Sequence, residues 1–258
     1  MDYSKWVERA KGFIEDVRGL PGEMEVTIEV KPSMTRHEVD LLAKGLPLGL
    51  PNVIKDFLSQ GSASCECNYV WEPDDSLIAD FAEVIEDEDY LEGGATLCLG
   101  AELASLQEMA KETATYFTGD DQESRIGRDL WGSAFPFVQV GNGDSLALLT
   151  SKNVENPPVV YLGIYGGCEV ISPSFSEFLY HWERICYVGP EGWFLSEWRD
   201  PATGHIDSKL PKTTLLRRLM KLGEADEFDV SWPMPIWPDW RASAARIADR
   251  VSLLTSAP

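Results

Sequence analysis

Apolar residues near the start of the chain follow first a helical and then a strand period. From Asp2 to Val17 they recur every three or four positions, which predicts an amphipathic helix. From Met24 to Val30 they alternate with polar residues, which is the period of a half-buried strand. Gly19 and Pro21 separate the two segments. The chain therefore opens with a helix followed by a strand.

Capping and turn signals predict three elements before the acidic part of the chain. Thr35 and Glu38 form a capping box, the side-chain pattern that marks the start of a helix. Leu46 and Pro47 lead into a second, shorter apolar helix. Residues 62–71 alternate again and predict a strand with Cys65, Cys67, Tyr69 and Trp71 on one side.

Four further segments are predicted between residue 77 and residue 131. The segments are a helix with an acidic outer side at 77–85, a strand at 95–99, an amphipathic helix at 102–116 and an exposed polar connection that ends near Trp131. Gly93 and Gly94 are expected to end the acidic helix.

Two strand–turn units predict the second half of the fold. Residues 135–148 form a hairpin around Gly141-Asn142-Gly143, with Asp144 completing the turn signal. Residues 157–179 describe two strands that enter a helix, in which Ser174 and Glu177 have the spacing of a capping box. Phe175, Phe178 and Leu179 share one face of that helix.

The order of these elements favours an α+β fold with a mixed, mainly antiparallel sheet, because strands and helices do not alternate as repeated βαβ units. We find no low-complexity linker and no internal repeat, so residues 1–258 are predicted to form a single domain. Its core is placed at about 35–179. The remainder, 180–258, is a C-terminal extension with a basic helix, a Trp- and Pro-rich segment from Ser231 and a last helix at 241–254.

Composition excludes a disordered chain, since 44% of the residues are hydrophobic. The first residues lack the basic and apolar segments of a secretory signal, and no apolar run approaches the roughly 18 residues that span a bilayer. We therefore expect a cytoplasmic protein without membrane contact. Five cysteines in a chain of this length predict buried thiols rather than a disulfide framework.

The net charge of −21 is unevenly distributed, because no basic residue or histidine lies between Lys55 and Lys111. A strongly negative face disfavours nucleic-acid binding and attracts cationic proteins. This interval is therefore predicted to recognise a partner. A merely solubilising surface is the alternative, and the two are compatible. The candidate partner-binding residues are Glu83, Glu86, Asp87, Glu88, Asp89 and Glu92. The Gly-rich turns near Gly141 and Gly166 are the next candidates.

Other chemistry has weaker support in the sequence. Cys65 and Cys67 lack a second ligand pair, so two core thiols on one strand face are preferred to a zinc site. His181 and Cys186 lie in no recognisable nucleophile context. Paired carboxylates with the Trp-rich C-terminus leave a carbohydrate hydrolase as a third alternative. No catalytic residue, metal or cofactor is predicted.

Taken in order, these motifs resemble the SUKH superfamily, which joins the Smi/Knr cell-wall regulators to many bacterial toxin-immunity proteins. The resemblance covers roughly residues 35–179. The residues that carry it are Leu46, Pro47, Trp131, Gly143, Asp144, Ser174, Phe175, Glu177, Phe178 and Leu179. Many members have a His-Glu pair after the strand at 159–162, whereas residues 163–166 here read Gly-Ile-Tyr-Gly. No function is transferred through that missing pair.

The resemblance implies a non-enzymatic module that binds and occludes a cognate, cationic toxin domain. A regulatory or scaffold role of the Smi/Knr type is the alternative. The sequence does not indicate the chemistry of the toxin or the oligomeric state.

Overall fold

The computed structural model describes residues 1–77, 84, 90–97, 100–150, 155–165 and 167–222. The helices of this part are α1 (Tyr3–Val17), α2 (Arg36–Gly45), α3 (Asn52–Gln60), α4 (Leu103–Ala114), α5 (Gln122–Ser133), α6 (Phe175–Arg184), α7 (Gly192–Ser196) and α8 (Pro211–Leu219). The strands are β1 (Gly22–Val30), β2 (Cys65–Pro73), β3 (Leu91–Gly94), β4 (Phe135–Gln139), β5 (Ser145–Leu148), β6 (Val159–Leu162) and β7 (Glu169–Ser172).

The strands form two sheets, which confirms the α+β class. The first sheet has the order β1-β2-β3 and the second has the order β4-β5-β6-β7. Every pairing between these named strands is antiparallel. The sequence predicted one mixed, mainly antiparallel sheet, so the division into two sheets is a feature that the strand periods alone did not reveal.

The predicted helix starts are confirmed where the capping side chains can be followed. Asp2 caps α1 by accepting from the Lys5 amide at 3.2 Å. Thr35 and Glu38 form the complete capping box of α2, with each side chain bonded to the backbone of the other residue. These bonds satisfy amides that would otherwise lack a partner in the first helical turn.

Strand β6 is buried on both faces of the second sheet, which explains why residues 159–162 are continuously apolar. In β6, Val159 and Tyr161 pack into the main core, which also contains side chains of the first sheet. The alternate residues Val160 and Leu162 pack on the opposite face, against the helical residues Ala110 of α4 and Trp131 of α5. An apolar run without alternation is typical of a strand in this position.

Two predicted segments are wrong. The strand expected at 95–99 lies earlier, at Leu91–Gly94, so Gly93 and Gly94 belong to a strand instead of ending a helix. Residues 98 and 99 of that prediction lie outside the described residues. The reason is a close approach of the backbone, because a Cβ atom on Gly93 would lie 2.6 Å from the carbonyl oxygen of Tyr187. The polar connection expected at 119–131 is largely helix α5, capped by Asp121, which accepts from the Ser124 amide at 2.9 Å.

The hairpin prediction is confirmed. β4 and β5 pair on either side of residues 140–144, and Gly143 has φ +95°, a conformation that favours glycine. The two strands predicted before Ser174 are β6 and β7, and α6 follows them.

A tight reversal after α6 fastens this helix to the edge of the first sheet. Cys186 and Tyr187 both have positive φ, 62° and 57°, although neither is glycine. Gly94 donates to the Tyr187 carbonyl at 2.7 Å, and Gly189 donates to the Glu92 carbonyl at 3.0 Å. Tyr69 adds a side-chain bond to the Cys186 carbonyl at 2.8 Å. These bonds hold two left-handed residues in a conformation that is otherwise unfavourable.

Some predictions lie outside the described residues. They include the helix at 77–85 apart from Leu77 and Val84, and the Trp- and Pro-rich segment and last helix after residue 222. The basic helix corresponds to α8. In the part of the chain that the structure describes, no helix has both the length and the apolar character to cross a membrane.

Truncating Phe178 to alanine tests the docking of α6. Its ring is fully buried, 5.0 Å from the centroid of Trp182 and 6.1 Å from that of Phe137. We expect Phe178→Ala to lower the free energy of unfolding by about 3–5 kcal/mol, measured by chemical denaturation. Tyr180→Ala, two residues away on the exposed side, should cost much less. An unchanged midpoint for Phe178→Ala would contradict this packing.

Candidate partner-binding surface

The Asp144 carboxylate joins the two Gly-rich turns that the sequence singled out. Its Oδ1 accepts from the amide of Ile164 at 2.8 Å. Its Oδ2 accepts from the side-chain amide of Asn142 at 2.7 Å and from the hydroxyl of Tyr161. Asp144 is only 7% exposed, so these bonds replace the water that a buried carboxylate needs. The turn after β4 and the turn after β6 are therefore one structural unit.

Tyr161 connects this unit to a third segment. Its hydroxyl oxygen accepts from the amide of Gly192 at 3.0 Å while its proton goes to Asp144. We call the resulting assembly the turn cluster and define it as residues 141–144, Tyr161, residues 163–165 and residues 189–193. The sequence predicted its first two turns. The third segment, residues 189–193, follows a chain reversal that no sequence motif predicted.

Glu191 is the ionisable residue of the turn cluster whose surroundings are least suited to a charge. It is 7% exposed, and its Oε2 has no hydrogen-bond partner among the described residues. Burial raises the pKa of its carboxyl group to about 7, and the nearby charges of Glu92 and Asp144 act in the same direction. Near neutral pH this group therefore exchanges its proton readily.

Glu92 is the one predicted partner-binding residue that the structure describes. It lies in β3, half-buried beside the turn cluster, and burial raises the pKa of its carboxyl group. The other predicted residues, Glu83, Glu86, Asp87, Glu88 and Asp89, lie outside the described residues. Glu92 thus places one end of the acidic interval next to Glu191.

Two aromatic side chains are exposed on the turn cluster. Tyr165 is 95% exposed and follows Ile164, whose amide binds Asp144. Trp193 is 48% exposed and follows Gly192, whose amide binds Tyr161. Exposed aromatic residues on a fixed backbone are typical of protein interfaces. The sequence contains nine tryptophans, and only the fold separates Trp193 from those in the core.

The remaining motif residues have structural roles. Trp131 is buried and donates to the carbonyl of Gly163 at 3.2 Å, which supports one turn of the cluster from below. Ser174 caps α6 by accepting from the Glu177 amide at 3.2 Å. The other motif residues are buried or lie at helix entries: Leu46 and Pro47 precede α3, while Phe175, Phe178 and Leu179 are fully buried.

His181 lies close to a serine and an aspartate without the geometry of a catalytic triad. Its Nδ1 accepts from the amide of Ser208 at 3.1 Å and lies 2.9 Å from the hydroxyl of the same residue. The same nitrogen is 3.8 Å from Asp207, whereas a triad uses the two ring nitrogens separately. Burial lowers the pKa of His181 to about 4. The imidazole therefore fastens α6 to the segment before α8.

Of the five cysteines predicted as buried thiols, Cys65, Cys67 and Cys186 are buried, Cys168 is half-buried and Cys98 lies outside the described residues. Cys65 and Cys67 are buried on the same face of β2, with their sulfur atoms 3.7 Å apart. Burial raises the pKa of Cys186 to about 12, which keeps it a thiol at neutral pH. Among the described residues, no three histidine, cysteine, aspartate or glutamate side chains are arranged to hold a metal ion.

A shallow cleft of about 340 Å³ borders the turn cluster. It is lined by Gln122, Glu123 and Ile126 of α5 and by Gly167 and Cys168 after the second turn. Burial raises the pKa of Cys168 to about 11, so it is not a thiolate at neutral pH.

Comparison with known families gives the chain its classification. The sequence model described as the SMI1 / KNR4 family (SUKH-1) matches residues 34–181, which is more than half of the chain. The chain belongs to the SMI1/KNR4 family. No curated protein and no solved structure matches it.

The SMI1/KNR4 match includes only part of the turn cluster. Asp144, Tyr161 and the two Gly-rich turns lie within residues 34–181. Glu191 and Trp193 lie beyond the matched region, in the segment that Tyr161 holds in place. The family region therefore provides the support, and residues outside the match provide the buried acid and one exposed aromatic side chain.

Removing the Tyr161 hydroxyl tests the link between the turns and the third segment. Tyr161→Phe leaves an oxygen of Asp144 and the amide of Gly192 without their shared partner. We expect a loss of about 1–3 kcal/mol in the free energy of unfolding, because a buried acceptor and a backbone amide lose their hydrogen-bond partner. Tyr165→Phe is the matched control, since its ring is 95% exposed. Equal stability of the two variants in urea denaturation would contradict the proposed link.

Replacing Glu191 by glutamine should stabilise the protein above pH 7 and change little near pH 4.5. The folded pKa of Glu191 is raised to about 7, whereas the unfolded value is about 4.3. Between these values the unfolded chain is ionised while the folded protein keeps its proton, so this group lowers stability as the pH rises. We expect Glu191→Gln to gain about 1–3 kcal/mol at pH 8.

Urea denaturation of both proteins at pH 4.5 and pH 8 measures this difference. The lowered pKa of His181 makes stability rise with pH, opposite to the effect of Glu191. His181 is present in both proteins, so its contribution cancels in the difference between them. A gain of equal size at the two pH values would show that Glu191 does not titrate as described.

Proposed function

We propose that this SMI1/KNR4-family chain is a non-enzymatic protein-binding module that neutralises a cognate bacterial toxin in the cytoplasm by covering the toxin's working surface. The turn cluster and the acidic interval beside it form the contact surface. The toxin domain is cationic.

The observation that carries this proposal is the combination of acidic and aromatic residues on the turn cluster. The charges of Glu92 and Asp144 both act on Glu191, and none of the three forms an ion pair with a described basic residue. Trp193 is exposed next to them. Exposed aromatic rings beside the half-buried Glu92, on a chain of strongly negative net charge, suit a cationic protein better than a small polar molecule.

The whole-chain charge supports the same partner class. A net charge of −21 attracts cationic domains over long distances and speeds their encounter. Occlusion needs no catalytic group. Glu191, whose carboxyl pKa burial raises, lacks the free second carboxylate that glycoside hydrolysis requires, since both oxygens of Asp144 are bonded.

The alternative is a regulatory or scaffold role of the Smi/Knr type. Both roles use protein binding, and the neighbouring genes distinguish them. A neighbouring gene for a large secreted protein with a variable C-terminal domain supports immunity, and co-expression of that domain with this chain should then restore growth. A toxic domain whose effect the chain does not relieve would favour the regulatory role.

Charge reversal in the acidic interval tests the contact surface. We expect replacement of Glu86, Asp87, Glu88 and Asp89 by lysine to weaken binding to the co-encoded toxin domain by about tenfold or more at low salt. The loss should shrink as salt is added, because exposed charges are screened. Titration calorimetry at two ionic strengths measures both effects.

A matched variant separates a local contact from a change in net charge. Glu23, Glu25, Glu29 and Glu72 are exposed on the first sheet, and their replacement by lysine changes the total charge by the same amount. If both quadruple variants lose affinity equally, the acidic interval is a solubilising surface and not a recognition surface.

A further inference from the structure

We propose that β1 is a docking edge for an extended segment of a second protein partner, in which basic and apolar residues alternate. This inference goes beyond the proposed function, because β1 and the turn cluster lie at opposite edges of the first sheet. It assigns a binding role to a strand that precedes the residues covered by the family match.

The fold covers one edge of the first sheet and leaves the other open among the described residues. At the covered edge, Gly94 donates to the Tyr187 carbonyl and Gly189 donates to the Glu92 carbonyl, so the reversal after α6 lies along β3. At the opposite edge, β1 pairs with β2 alone among the described strands. The free side of an edge strand can form backbone hydrogen bonds with an added strand.

β1 has the length and regularity of a strand on which another strand can pair. It is nine residues long and contains neither proline nor lysine, the residues that most often protect a sheet edge. Its register with β2 continues from Gly22 to Val30 without a bulge. The backbone of β1 is therefore suited to strand addition over its whole length.

The side of β1 that points to the core is incompletely covered. All four of its residues are apolar but only half-buried: Met24, Val26, Ile28 and Val30. The residues of β2 directly opposite them are buried: Trp71, Tyr69, Cys67 and Cys65. An added strand with apolar side chains on this side would remove further apolar surface from water, which favours binding.

The outer side of β1 determines the charge of the added segment. The acidic residues exposed there are Glu23, Glu25 and Glu29. Glu23 lies directly opposite Glu72, and Glu29 lies directly opposite Glu66, although like charges in such pairs are destabilising. The described ion pair on this side joins Glu29 to Lys31 at 3.9 Å. Basic side chains of an added strand would offset the repulsion, whereas acidic ones would increase it.

The two sides together specify the sequence pattern of the partner. Successive side chains of a strand point to opposite faces of the sheet. An added strand therefore places every second residue beside the half-buried apolar side chains of β1 and the others beside its glutamates. The complementary segment alternates valine, isoleucine or leucine with lysine or arginine. Its backbone hydrogen bonds provide affinity, and its alternating side chains provide specificity.

Titration calorimetry of the full chain with a nonapeptide blocked at both ends, Thr-Lys-Val-Lys-Val-Ser-Val-Lys-Thr, tests this edge. A peptide of the same composition, with its lysines and its valines grouped instead of alternating, should bind about tenfold or more weakly. Two N-methylated peptides distinguish strand addition from charge attraction, one methylated at the valine amides and the other at the lysine amides. Because alternate amides of a strand face opposite edges, one of the two should lose binding and the other should keep it.

Two double variants test the position of the site. We expect Glu25→Lys with Glu29→Lys to weaken binding of the alternating peptide by about tenfold or more at low ionic strength. Glu108→Lys with Glu112→Lys changes the net charge equally at exposed positions of α4 and should weaken binding by less than about threefold. Amide hydrogen exchange should slow in residues 22–30 when the peptide binds, and not in residues 189–193.

The proposal is wrong if the peptide does not bind the full chain at millimolar concentration, if the two N-methylated peptides bind equally, or if the two double variants lose affinity equally. A parent that is dimeric in sedimentation, with residues 22–30 already protected from exchange, would assign the edge to a second copy. Displacement of the co-encoded toxin domain by the peptide would show that β1 is not a separate surface. The peptide measurements need no toxin, so failure of the immunity role would leave their result unchanged.

Discussion

The backbone bonds between the reversal after α6 and the edge strand β3 determine the arrangement of the candidate surface. They join the first sheet to the helix that packs on the second, through Gly94 to Tyr187 and Gly189 to Glu92. The chain leaves this junction directly toward Glu191, where Tyr161 of the second sheet binds the next amide. Both sheets therefore fix the same short segment, and its side chains can be preorganised for binding.

Much of the fold could be predicted from the sequence because its signals are local. The helical period of residues 2–17, the capping box at Thr35 and the turn at Gly143 each depend on neighbours within a few positions. The family resemblance followed from the order of such signals and is confirmed by the match over residues 34–181. The predicted limits of the core and its extension stay a prediction, although one apolar cluster includes side chains from Tyr3 to Met220.

The errors and omissions arise where contacts between distant residues decide the structure. In the sequence Gly93 and Gly94 resemble a helix stop. In the structure they belong to a strand, because the carbonyl of Tyr187, which is distant in the sequence, lies against them. Similarly, no local sequence pattern distinguishes Glu191 from the rest of the 43 acidic residues. Glu191 is buried in the segment that follows the reversal at Cys186 and Tyr187, a conformation that non-glycine residues rarely adopt and that sequence patterns do not predict.

The first sheet has a consequence for self-association. Among the described strands β1 pairs only with β2, so within the described residues its other side is an open edge of the sheet. Such an edge is a template on which a second copy can add a strand. Glu23, Glu25 and Glu29 are exposed along it, and in a second copy they would meet like charges. Like charges along this edge disfavour the addition of a strand from a second copy, so the acidic composition that attracts a cationic domain also opposes this mode of self-association.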